Sequence, residues 1–198
     1  MEEILPGIYH WTAHHEGIGA PVSSYYVESA AAVIDPMVPE EGLEWFDGKP
    51  LERVVLANRH HYRHADRFAD RFDVPVLANE KGLHELEGKP AVESFSFGDE
   101  VAPGVVAQGF EDSWPDEGVL VIADKNAIVL ADGVMRYGGN VSFVPDQYLG
   151  DDPEEEKTVL RAAVRRVLDG LDFDAVLVGH GDPITSGGKA ELQQLTTD

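Results

Sequence analysis

Apolar positions fall in short runs whose period changes along the chain. Residues 5–11, 22–27 and 31–36 are runs rich in β-branched and aromatic side chains. They predict an N-terminal β-meander, with a polar loop over 12–20 and a break at 28–30. A short helix is expected over 40–46 and a strand over 54–57. Phe68 and Phe72 stand four apart, as on one face of a short helix over 66–72. A strand over 74–78 and a helical turn over 81–86 follow, and this alternation of strand and helix predicts an α/β class rather than an all-β one. The chain then turns β-rich, with strands expected over 95–97, 101–108, 119–123 and 127–131, the last two joined by the turn Asp124-Lys125-Asn126. About 20 residues from 133 to 151 read as a loop, a length that usually serves function or motion.

The clearest helix comes next. Asp152 suits its cap, Pro153 its first position, Glu154 and Glu155 the positive end of its dipole, and Gly170 its stop. Leu160, Val164, Val167, Leu168 and Leu171 share one stripe, which predicts packing on a sheet. A buried strand over 175–178 ends in Gly179-His180-Gly181-Asp182-Pro183. No repeat and no linker divides the chain, so one domain over residues 1–198 is expected.

Composition narrows the chemistry. With 198 residues and 43% hydrophobic content the chain can bury a substantial core. No apolar run approaches the roughly 20 residues that cross a bilayer, and residues 1–6 have neither a basic nor an apolar leader character, so the cytoplasm is the expected location. Against 15 basic residues stand 37 acidic ones, a formal net charge of -22. Such a field repels nucleic acid and anionic membranes, which leaves a small-molecule ligand or substrate as the expected partner; it also suits a high-salt habitat. The absence of cysteine excludes disulfides, thiolate nucleophiles and Cys-ligated zinc, leaving His, Asp and Glu as metal ligands.

Residues 54–66 concentrate the chemistry: an apolar strand breaks into His60, His61 and His64 at what would be the rim of a sheet. Imidazoles so clustered serve either a metal or a hydrogen-bonded network. His60 and His64 are four apart, so a helical start would place both on one face. His14, His15 and His84 read as exposed, and Asp112, Asp116 and Glu117 around Trp114 as an acidic surface turn. Tyr137, Phe143 and Tyr148 read as pocket walls or an oligomer contact. No nucleophile elbow, phosphate loop or dinucleotide fingerprint is present.

The order of meander, strand with histidine cluster, helix, hairpin ending in Ala131-Asp132-Gly133, amphipathic helix and terminal Val178-Gly179-His180-Gly181-Asp182-Pro183 resembles the metallo-β-lactamase fold superfamily over nearly the whole chain. The resemblance implies an α/β (α+β) four-layer αββα sandwich, two sheets face to face with helices outside, and a dinuclear metal site at one edge. It also implies a ligand run His-x-His-x-Asp-His, which laid on residues 59–64 finds Arg59, His61, Arg63 and His64. The next histidine of the pattern falls near Ser113, the bridging aspartate on Asp132 and the last histidine on His180. Asp35 would lie beneath the site and orient the histidine-bearing loop.

Three of the seven ligand positions are therefore replaced, at Arg59, Arg63 and Ser113. What the resemblance then implies is at most one Zn or Fe ion, held by His61, His64, Asp132 and His180, with His60 as a further donor, or no metal at all. Arg59 and Arg63 bring permanent cations to the same edge, and either can pair with Asp132. Two functions of different class follow. One is a metal-dependent hydrolase of an ester, thioester, amide or phosphoester; the other is a metal-independent member of the fold that binds a small ligand or partner at the former active-site edge.

Overall fold

Two β-sheets form the middle of the computed structural model, which describes residues 1–110 and 114–197. The first has seven strands in chain order: β1 (Glu2–Leu5), β2 (Ile8–His15), β3 (Ala20–Val27), β4 (Ala32–Ile34), β5 (Arg53–Val55), β6 (Val76–Asn79) and β7 (Val92–Phe95). β1 to β4 form an antiparallel meander, and β4 to β7 run parallel. In the second sheet the order is β14 (Ala175–Val178), β11 (Ala127–Leu130), β10 (Gly118–Ile122), β9 (Val105–Gly109), β8 (Glu100–Ala102), with β14 parallel to β11. A separate hairpin pairs β12 (Val134–Tyr137) with β13 (Asn140–Phe143).

The period-2 geometry of strands sorts the apolar runs into layers. Ala32, Ile34 and Val55 of the first sheet and Ala127, Val129, Ala175 and Leu177 of the second point into one shared core between the sheets. Their neighbours point outward. Val33 and Val54 pack against Phe68 and Ala65 of α1 (Ala65–Phe72), while Ile128, Leu130, Val176 and Val178 pack against Leu160, Val164 and Val167 of α2 (Pro153–Gly170). The result is the expected αββα sandwich. Asp152 caps α2 by accepting from the Glu155 N–H at 3.1 Å, a contact worth about 1 kcal/mol.

Several local expectations are corrected. The polar residues 12–15 continue β2 instead of opening a loop, because Thr12 to His15 keep pairing with Ser23 to Ala20 of β3. Residues 101–108 are two strands, broken at Pro103-Gly104, where Gly104 takes φ +73. The long segment 133–151 holds the β12–β13 hairpin, turned at Gly138 and Gly139 with φ of 57° and 80°. A short α3 (Gly188–Gln193), anchored by buried Leu192, closes the chain against α2. Among the described residues no helix is long and apolar enough to cross a membrane.

Candidate functional site

The parallel pairs β4–β5 and β11–β14 put the C-terminal ends of four strands at one edge of the sandwich. Each end delivers a polar group: Asp35 after β4, the histidine-bearing turn after β5, Asp132 after β11 and His180 after β14. This is where open parallel sheets keep their chemistry, because the chain leaves the ladder there. Asn58 starts the turn Arg59–Tyr62 by accepting from the His60 N–H at 2.7 Å.

Three of the expected residues meet. His61 Nε2 lies 3.0 Å and His180 Nε2 2.9 Å from Asp132 Oδ1. His61 Nδ1 donates to Asp35 Oδ2 at 2.8 Å, and the Ala57 N–H donates to Asp35 Oδ1 at 2.8 Å, so both oxygens of this buried carboxylate are occupied. With Nδ1–H committed to Asp35, the Nε2 of His61 faces Asp132 with a lone pair, and a proton or a metal ion must separate the two acceptors. Ligand atoms of His61, Asp132 and His180 all lie within 4.8 Å of one another. Two imidazole nitrogens and a carboxylate fit one zinc or iron ion with a position left open.

Arg63 closes the floor. Its Nη1 donates to the backbone oxygens of Ser23 and Asp35 at 2.7 and 2.8 Å, and Nη2 to Gly179 at 3.4 Å. The residue has φ 44 and ψ -115, a conformation that costs a non-glycine residue about 1–3 kcal/mol. The guanidinium contacts hold it there.

The electrostatics follow from burial and from these pairs. Burial and the Arg63 charge pull His61 down, but Asp132 and Asp35 outweigh them and hold the imidazole at about 9. Burial would raise Asp132, yet His61 and His180 hold it well below the usual carboxylate range. Glu117, which accepts from Gly133 N–H and Asn58 Nδ2 at 2.6 and 3.1 Å, is pushed up to about 8 by burial and by the Asp132 charge. His15 is lowered by burial and by Arg63.

Other expected residues go elsewhere. His64 accepts from the Val38 N–H through Nδ1 at 3.0 Å, which ties its ring to the segment after β4, and it is not part of the Asp132 group. His60 is half exposed, 3.5 Å from Glu85. Neither arginine bonds to Asp132: Arg59 pairs with Asp116 and, at 2.8 Å, with Glu85, while Arg63 is taken up by carbonyls. Ser113 and Asp112 lie outside the described residues. Asp116 and Glu117 are not an exposed turn but are 2% and 1% exposed, holding Arg59, Asn58 and Gly133 in place. Only the acid pair directly before the apolar strand β10 hinted at this. His15, at the end of β2, reaches the site cavity.

That cavity, about 520 Å³, opens over His61, Asp132, His180 and Arg63. Its walls are mostly apolar, from Val22, Met135 and Val144 among others.

The fold has counterparts among solved structures. The di-iron-bound form of TTHA1623 is 20% identical, with a TM-score of 0.68 over 90% of this chain and 96% of that one. DIM-1 metallo-beta-lactamase gives a TM-score of 0.73 at 15% identity, over 98% and 94% of the two chains. The chain has the metallo-β-lactamase fold. The metallo-beta-lactamase family protein TTHA1429 from Thermus thermophilus extends the likeness, at a TM-score of 0.65 and 15% identity over 98% of this chain and 79% of that one. By sequence, no family model and no curated protein matches the chain. The metallo-β-lactamase fold thus carries a His61, Asp132 and His180 group at the edge where the sequence resemblance expects ligands.

Proposed function

We propose that the protein is a metal-dependent hydrolase of this fold that works with one ion in place of two, held by His61, Asp132 and His180. The observation that carries the reading is the convergence of these three side chains beneath a cavity, with Asp35 bonded behind His61. Zinc or iron in such a site supplies a hydroxide nucleophile near neutral pH and an electrophile for the scissile carbonyl or phosphoryl group of an ester, thioester, amide or phosphoester. Asp35 fixes the His61 tautomer so that Nε2 keeps its lone pair toward Asp132. Arg63 sets a fixed cation close to Asp132, and like charge disfavours a second divalent ion there. Arg59, engaged by Asp116 and Glu85, offers no ligand.

Arg63 also supports a second reading, a metal-independent binding protein, since its buried cation balances a carboxylate without any ion. Elemental analysis of protein purified without chelator separates the two. About one Zn or Fe per chain is expected, falling at least tenfold in Asp132→Ala and His180→Ala, with ester or thioester hydrolysis abolished by chelation. Protein that arrives metal-free and takes up no added zinc hands the site to the second reading.

A further inference from the structure

The cavity over the site joins two features that the hydrolase reading does not use. Its outer rim carries Ile18, Tyr137 and Tyr148, which are 49%, 47% and 60% exposed and are the exposed large hydrophobics among the described residues. Elsewhere such side chains are buried or half-buried, so the apolar surface left in solvent is gathered at one mouth. On a chain of net charge -22 that mouth is an apolar patch in a strongly acidic surface, the mark of a binding site rather than of solubility. The walls behind it continue apolar through Val22, Met135 and Val144.

The second feature is the unfinished valence of Arg63. A guanidinium has five N–H donors. The Nη1 pair donates to Ser23 and Asp35, and Nη2 donates once to Gly179, which leaves the Nε–H and one Nη2–H with no acceptor among the described residues. Arg63 lines the cavity beside His61 and His180. A planar fork of two N–H groups on one guanidinium matches a carboxylate through two parallel bonds. Its neighbours Asp35 and Asp132 do not fill this role: both Asp35 oxygens accept from Ala57 and His61, Asp132 Oδ1 faces His61 and His180, and the Arg63 guanidinium donates to backbone carbonyls and to neither carboxylate.

We propose that this site takes an apolar-bodied carboxylic acid, as substrate or product, its carboxylate on Arg63 and its body against Val22, Met135, Val144, Tyr137 and Tyr148. A cavity of about 520 Å³ suits one small ligand of this kind. In the hydrolase reading, on which the substrate role rests, the acid is either the leaving product of an ester or thioester or a fixed handle on the substrate. The binding claim itself stands without metal.

Isothermal titration with octanoate, 4-phenylbutyrate and their uncharged amides, on chelated and on zinc-supplemented full-length protein, tests it. Expected is a preference for acid over amide of at least tenfold, unchanged by chelation, lost in Arg63→Gln and partly kept in Arg63→Lys. Affinity also rises from butyrate to octanoate, and Tyr148→Ser, a rim change that leaves the floor intact, lowers octanoate affinity several-fold. If Arg63→Gln does not fold, the acid-to-amide ratio and the chain-length series in the native protein decide alone. Equal binding of acid and amide overturns the proposal. So does an acid preference that vanishes on chelation, which would place the anion on a metal and leave the hydrolase reading standing.

Discussion

Asp35 and His61 are joined Oδ2 to Nδ1 at 2.8 Å, with Asp35 1% and His61 3% exposed, so the imidazole that faces Asp132 is aimed by a residue from a different strand. Asp35 sits at φ 48, the left-handed region that Asn tolerates better than most residues. Asp35→Asn should therefore fold. Its amide can still accept from Ala57, but its NH₂ would face His61 Nδ1 and favour the opposite tautomer, placing a proton on Nε2. Zinc affinity measured by competition with a chromophoric chelator should fall 10–100-fold, the usual cost of losing such a partner. Unchanged affinity would remove His61 from the ligand set.

How far the sequence spoke depends on range. The two sheets were legible because buried strands such as 127–131 and 175–178 are uninterrupted apolar runs, and α2 was legible from its cap, dipole and stripe. His61, Asp132 and His180 were readable from the order of short motifs. The direction of His64 was not, since it depends on a hydrogen bond to Val38, which is 26 residues away. Nor were the partners of Arg59, because Asp116 lies 57 residues on and its burial is set by packing rather than by local pattern. The Tyr137-Gly138-Gly139-Asn140 turn, by contrast, was a local hairpin signal that the length of the segment concealed.

The metal-free protein should lose stability as pH rises. The folded His61 titrates at about 9 against 6.5 unfolded, so its contribution is complete below 6.5 and disappears as pH passes 9. Glu117, held up at about 8 against 4.5, keeps a proton in the fold that the unfolded chain releases, and it too works against the fold as pH climbs to 8. Both slopes have the same sign, and they overlap between 6.5 and 8. Urea midpoints of chelated protein should fall across that window, with about 2 kcal/mol of the loss from His61, since a tenfold change in proton affinity is worth ~1.4 kcal/mol. Zinc requires a neutral imidazole, so the loaded protein should show a shallower decline. A flat profile in chelated protein would show that His61 is not held as imidazolium.

Gly181 decides where His180 points. The Arg136 N–H donates to His180 O at 3.0 Å and the Asp182 N–H to Arg136 O at 2.9 Å, clamping the loop after β14 to β12. Gly181 lies between them at φ +96, and a Cβ there would stand 1.7 Å from Arg136 O, a contact no backbone accepts. Gly181→Ala must break the clamp. Metal content should drop at least tenfold and the thermal midpoint by several degrees, whereas Gly48→Ala, at φ +80 with nothing within 4 Å of the added Cβ, should lose only the ~1 kcal/mol of its backbone conformation and keep its metal. Equal metal content in the two variants would show that the clamp does not set the site.

The surface charge should make stability depend on salt. At a formal net charge of -22 the fold pays for its own repulsion, which acts over about 10 Å in 0.1 M salt and about 3 Å at 1 M. The thermal midpoint should rise between 0.1 and 1 M NaCl, and by a similar amount in KCl at the same ionic strength. Salting-out of apolar surface would also raise it, so a charge-changed variant is needed to separate the two. Asp70, Glu87 and Glu93 are exposed, and replacing each by Lys removes one negative charge and adds one positive charge without touching the core. This triple variant should gain stability at 0.1 M NaCl and show a smaller rise with salt. If both proteins respond equally, the salt effect belongs to the apolar core and not to the acidic surface.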